Sequence, residues 1–450
     1  MYPDNMPRRA KAILLAAAAI LLPTAVIAIV ILVAGPPGTH AERLERLAAS
    51  HQPPGDNGWR FLANAQGALR QHEAAAVEAA NAEGANLQPG AYPDYFAIVS
   101  PPVGLPADPD LAKRVLDTLH ASPVQYHLDK LAASPHIVWP VSQDAASPQD
   151  IMGALLPHQS AMSALARICT ARAVDEANAG NWPAAINAAE HTLAIVRAAR
   201  SQPIIISQLN AVSIALNLIE RAIGPWLTNR AIPREHLEAL AAAIERQSHA
   251  PPLTLVYEGD AIIGRAIWAD MPIWDAIRTR TDNRAAAYAR AITELAAIPL
   301  ADRKPDIDDL AALTIATPPA QSVRDALRIM AGLDADRARQ RLTRTAVAIE
   351  LHRARTGTLP ETLADLTHPN APTFTRDPIT GDEPLRYNLD PAHPAGYLLY
   401  SISTDLIDNN GTPPENPRDA NAPGDLVWPH FATRPPPEPD AESEPQGNTE

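Results

Sequence analysis

Chemistry in this chain would have to come from carboxylates, guanidiniums and indoles, because few other groups are spaced for it. Trp268, Asp270, Trp274 and Asp275 crowd into one stretch, with Arg278, Arg280 and Arg284 close behind. Such a set could line a sugar-like site, although packing is the simpler reading. Asp306, Asp308 and Asp309 form a second carboxylate cluster. Paired carboxylates can serve as acid and base. These precede an apolar helix-like run, where negative charge suits a helix N-terminus. The 14 histidines include no His-Glu-x-x-His. His120 with His127, and His191 with His236, stand too far apart for a one-turn metal pair, and read as surface or helix-terminal groups. There is no Gly-x-Gly-x-x-Gly, no Walker loop and no Gly-x-Ser-x-Gly elbow. No catalytic or cofactor-binding residue is therefore assigned.

The elements that would position such groups follow from composition and periodicity. The chain has 450 residues, 37 Lys+Arg against 51 Asp+Glu and a formal charge of −14. A net acidic chain is a poor nucleic-acid binder. The lone Cys169 excludes an intramolecular disulfide and a Cys-based metal cluster, and sits on an apolar helical stripe as a small core residue. Residues 12–34 are uncharged and almost wholly apolar. As a helix they would run about 34 Å, enough to cross a hydrocarbon core of about 30 Å. Arg8, Arg9 and Lys11 precede them, which places residues 1–11 in the cytoplasm. The run exceeds a usual signal-peptide core and no clear cleavage site follows. The expectation is an uncleaved anchor in the inner membrane, contacting the bilayer through residues 12–34, with the bulk exported.

Residues 40–332 then form an exported helical region, its first part, 40–56, reading as a juxtamembrane stalk. Within it Met162, Leu165, Cys169 and Ala173 recur at helical spacing, Gly180 breaks the chain, and Trp182-Pro183 starts the next helix. This hairpin is weakly similar to one tetratricopeptide unit, but no second copy follows. Ile205, Leu209, Val212, Leu216, Ile219 and Ile223 make the most periodic stripe, with Gly224-Pro225 as its stop. Residues 434–450 are acidic and Pro-rich and predict a disordered tail.

Leu333 to Arg355 predicts a long helix with Ala338, Leu342, Thr345 and Ile349 on one face, closed by Gly357. Strand candidates follow at 385–387, 397–401 and 426–428, each bounded by turn residues. Several pieces here come in a known order: Gly357-Thr358-Leu359-Pro360 with Leu363, Asp377-Pro378 with Gly381, Tyr387, Tyr397-x-x-Tyr400-Ser401, Asp405, and Asp425-Leu426 with Trp428. In that order they resemble the globular half of the major pseudopilin of type II secretion systems. The resemblance implies a helix packed on a short antiparallel sheet over 333–433. It also implies a calcium-binding turn at Asp405 and Asp425, with Ser403 nearby. Residues 405–425 offer oxygens for such an ion. The glycines flanking the family's turn are, however, Ser403 and Leu406 here, and a polar turn built by Asp and Asn is the alternative. The segment at 12–34 also lacks the Glu and processing site of a filament subunit.

The fold class expected is thus mainly α. A single transmembrane helix leads into an exported helical bundle, which ends in a small α+β pseudopilin-like module with a short antiparallel sheet. The function expected is a non-enzymatic scaffold or interaction protein with envelope protein partners. An envelope hydrolase with its site at residues 250–310, and a calcium-dependent binding module, stay open as alternatives.

Overall fold

The computed structural model describes residues 39–82, 123–141, 148–269, 278–313, 319–367, 370–381, 383–415 and 422–429. Helices dominate. They are α1 (His40–Ala49), α2 (Trp59–Ala82), α3 (Val124–Ala133), α4 (Pro148–Asn178), α5 (Trp182–Arg200) and α6 (Ile205–Leu218). After a π-helical turn, Ile219–Ile223, come α7 (Gly224–Thr228), α8 (Arg234–Gln247), α9 (Leu253–Ala269), α10 (Arg278–Ala296), α11 (Ile307–Leu313), α12 (Pro319–Thr356) and α13 (Ala371–Phe374). Strands β1 (Arg386–Leu389), β2 (Tyr397–Ser401) and β3 (Leu426–Trp428) form one antiparallel sheet in the order β1-β2-β3. Tyr387 pairs with Leu399, and Leu399 with Trp428.

The expected single-pass architecture is corrected. Among the described residues no helix is long and apolar enough to cross a membrane. The long helices carry charge along their length, such as Arg324, Asp334, Arg341 and Glu350 on α12, and charges are costly in hydrocarbon. Residues 12–34, on which the expected span rested, lie outside the described residues, as do 434–450. The inner-membrane location and the exported bulk fall with the span, while the expected bilayer contact through residues 12–34 lies outside the described residues. What stands is a mainly helical protein with a small three-stranded antiparallel sheet.

Two local expectations change as well. The first part of the supposed stalk is a helix with one face buried. Thr39 and Glu42 form a capping box at the start of α1, and Ala41, Leu44 and Ala48 are buried. Gly224-Pro225 does not end the chain's helical run, because the π turn shifts the hydrogen-bond ladder just ahead of it. Pro225 then sits in the first turn of α7, where its missing N–H costs nothing.

Three apolar clusters make the core. One joins α1 to α4 with the end of α5 and α6. Another gathers α9 to α11 against the start of α12, through Leu253, Ile292, Leu310, Val323 and Met330. The largest is shared by helices and sheet: Trp182, Ile223, Trp226, Leu237 and Leu240 meet Leu342, Ile349, Tyr397, Leu399 and Trp428. α12 runs through both of the last two clusters. The expected module boundary at 332/333 therefore falls inside one continuous helix. Buried ion pairs on α12, Arg200–Asp336 at 2.8 Å and Arg303–Asp334 at 2.5 Å, tie it to the rest of the helical frame. α12 ends at Gly357, whose φ of +84° and 2.8 Å N–H bond to Arg353 O form the stop.

Candidate functional site

The loop between β2 and β3 collects the residues that the sequence singled out. Ile402 to Thr412 leave the sheet, and Gly424 and Asp425 return to it. Asp405 is the hub. Its Oδ1 accepts the Ile407 N–H at 3.1 Å, and its Oδ2 accepts the Gly424 N–H at 3.0 Å and the Asn409 amide at 3.3 Å. Asp425 Oδ2 accepts the Gly411 N–H at 2.7 Å, and its own N–H donates to Thr412 O at 2.8 Å. Asp408 Oδ1 takes the Asn410 N–H at 2.9 Å and the Tyr400 hydroxyl at 3.2 Å, while its Oδ2 lies 3.5 Å from Arg386 Nε. Ser403 is buried, and its carbonyl accepts the Leu406 N–H at 3.1 Å. Short Asp and Asn side chains satisfy the backbone donors that an irregular loop leaves unpaired.

The loop folds tightly on itself. A Cβ on Gly424 (φ +127°) would stand 2.6 Å from Pro414 N, and one on Gly411 would meet Leu398 Cδ2 at 2.5 Å. Gly424 meets backbone and has no room for a side chain, whereas at Gly411 (φ +75°) the contact is with the movable end of Leu398 and the positive φ is what disfavours one. Burial, followed by the charges of Asp408 and Asp405, pushes the Asp425 carboxyl up, against the opposing bonds from the Gly411 and Asn409 backbone.

Asp405 and Asp425 lie in the same loop and act as staples. Their hydrogen-bonded oxygens hold backbone, and Asp425 Oδ1 is the one of the four that is buried without a partner. Among the described residues no group of three or more His, Cys, Asp or Glu is placed to hold a metal ion. Calcium takes six to eight oxygens. The donor set among the described residues does not fit that ion.

The staples present an apolar tip. Leu406 is 42% exposed with φ +58°, and Ile407 is 59% exposed. The left-handed region suits glycine, and a branched side chain there is strained.

Among the described residues, the remaining sequence candidates whose side chains are placed serve local structure. Trp268 lies on α9, and Asp270, Trp274 and Asp275 lie outside the described residues. Arg284 Nε donates to Ala312 O at 3.1 Å, joining α10 to α11. Asp306 Oδ1 accepts the N–H groups of Asp308 and Asp309 at 2.9 and 3.0 Å, the helix-start role expected of it. Cys169 is buried, and burial raises its thiol to about 12.

Sequence reasoning missed two features. His191 is not at the surface: it is buried, 2.8 Å from Asp129 Oδ1, beside a cavity of about 410 Å³. Burial pushes its pKa down, against the pull of Asp129. Ser134 on the same cavity donates to Lys130 O at 2.7 Å, so it is not aligned as a nucleophile. The second is the α6 stripe. Leu209 is exposed, and Leu209, Val212 and Leu216 line a cleft of about 470 Å³ between α4, α6 and α12, while Ala211, Ala215 and Leu218 pack inward. Only the 62-residue separation of His191 from Asp129 hides the first pair; the second had a signal, the small residues on the opposite face.

Comparisons with protein-family models, curated proteins and solved structures find no match to this chain, so the function is argued from geometry.

Proposed function

We propose that this is a non-enzymatic interaction protein. It holds a protein partner through the loop at 402–412, carried on a pilin-like module that is built into a helical frame. The observation that carries the reading is Leu406. The backbone there takes a glycine conformation, φ +58°, yet the residue is a half-exposed leucine followed by a still more exposed isoleucine. Strained conformations persist where surrounding structure over-determines them, and they cluster at functional sites. The pseudopilin pattern that this stretch resembles has glycine at this position, which is the residue such a backbone favours. Leucine serves something else, and an apolar side chain aimed at solvent serves contact.

The loop is also ready-made for binding. Its carboxylates fix the tip before any partner arrives, so little ordering cost is left to association. The sheet beneath it shares a core with α8 and α12, which gives the tip a firm base.

The test replaces Leu406→Gly together with Ile407→Ser and compares the native mass of the protein isolated from its own cells. The expected result is an unchanged or slightly raised melting temperature with loss of the larger complex. A complex that survives the replacement, or a wild-type protein found alone, overturns the reading.

A further inference from the structure

A second feature lies away from the loop tip, where the helices meet the β1–β2 hairpin. α7, the turn at 229–233, α8 and α12 line a partly open cavity of about 190 Å³. An apolar cavity of about 150 Å³ admits benzene, so this one has room for a ring or a short chain. Trp226, Leu227, Ile232 and Leu237 supply an apolar wall. Trp226 is fixed edge-on against Trp182, with ring centroids 5.6 Å apart.

The opposite wall is charged and incompletely satisfied. Glu350 is only 4% exposed. Its Oε2 pairs with Arg353 Nη2. Glu350 Oε1 and Arg353 Nη1 are both shielded from solvent and have no hydrogen-bond partner. A buried acceptor and a buried donor left open cost free energy each. Arg230 and Arg234 also line the cavity. Arg230 holds φ +53°, and its Nη2 reaches Ala395 O at 3.5 Å. Three guanidiniums against one carboxyl leave an excess of positive charge, and guanidinium is the group best shaped for a carboxylate.

We propose that this cavity binds a small organic carboxylate bearing an apolar ring or chain, its carboxylate on Arg353 and Arg230 and its apolar body against Trp226.

Glu350 tunes that binding. Burial raises its carboxyl to about 7, opposed first by Arg353 and then by Arg230. Around it stand Arg353 on α12, Arg230 and Arg234 from the turn and the start of α8, and Tyr387 and Tyr397 from the sheet. Burial raises both tyrosines, which stay neutral in this range. Outside the cavity, Glu238 is paired with Arg355. As pH rises through about 7, Glu350 gains a negative charge and repels an anionic ligand.

The experiment is calorimetric titration of the full chain with phenylacetate, phenylacetamide and phenethylamine at pH 6 and 8. Phenylacetate is expected to bind, about three- to tenfold more tightly at pH 6, with the amide and the amine at least about tenfold weaker. Arg353→Gln risks the fold, so Arg230→Gln, at an exposed position, is the main variant; it is expected to weaken phenylacetate severalfold. Glu350→Gln is expected to bind at pH 8 as the wild type does at pH 6. The proposal is overturned by absence of heat with phenylacetate at millimolar concentration, by equal binding of the neutral amide, or by binding indifferent to both Arg230→Gln and Glu350→Gln.

Discussion

At the scale of single residues, Glu350 and Gly424 make the sharpest statements. Glu350 is a carboxyl raised from 4.5 to about 7 by burial. The native state therefore holds its proton over a range where the unfolded chain has lost it. Stability from this group is greatest below the unfolded pKa and declines as pH rises from about 4.5 to about 7. Glu350→Gln is expected to flatten that decline and to raise stability at pH 8 by about 1–3 kcal/mol, read by denaturant melts at pH 5 and pH 8. A parallel decline in both proteins would show that Glu350 is not the group responsible. Gly424→Ala forces a Cβ to 2.6 Å from Pro414 N at a positive φ. The expected loss is about 1–3 kcal/mol, and a neutral outcome would mean that the loop does not close as described.

At the scale of elements, the loop from β2 to β3 acts as a clip made by Asp405 and Asp425. Melting curves with calcium and with chelator are expected to superimpose, because a bound ion would stabilise the folded state; a calcium-dependent rise would return the two carboxylates to ion binding. Much of this region was legible. The strand positions came from short runs rich in Leu, Tyr, Val and Trp bounded by turn residues, and Gly357 marked the end of α12. The loop tip was not legible, because Leu406 and Ile407 read as ordinary apolar residues until the backbone shows a left-handed leucine facing solvent. The environment of the α6 stripe was not legible for a related reason. Leu209, Val212 and Leu216 line a cleft, Ile219 and Ile223 are buried in the core, and the close helix packing also uses Ala211 and Ala215. Periodicity reports an apolar face and is silent on which side is covered.

At the scale of the molecule, α12 joins what the sequence suggested were separate parts. Its first half packs with α9 to α11, and its second half packs with α8 and the sheet. Leu342 sits at 0% exposure in that shared core. Leu342→Ala is expected to cost about 2–5 kcal/mol and to lower the melting of helix and sheet signals together. A sheet signal that melts early by itself would break the picture of one joined body. No local pattern revealed this union, since it depends on one apolar cluster that gathers Trp226, Leu237, Leu342 and Trp428 from far apart in sequence. The long apolar run at 12–34 was legible by composition, but it bears on none of the described elements.

The central claim is that the stapled tip at Leu406 and Ile407 is a contact surface. The most direct measurement places a photo-crosslinking benzoylphenylalanine at position 407, and in a parallel chain at Leu389, an equally exposed residue at the far end of β1 (59% and 52% exposed). Irradiation in the protein's own cells should give one discrete adduct from position 407 and none from position 389. The same faint smear from both positions, or no adduct at 407, would contradict it.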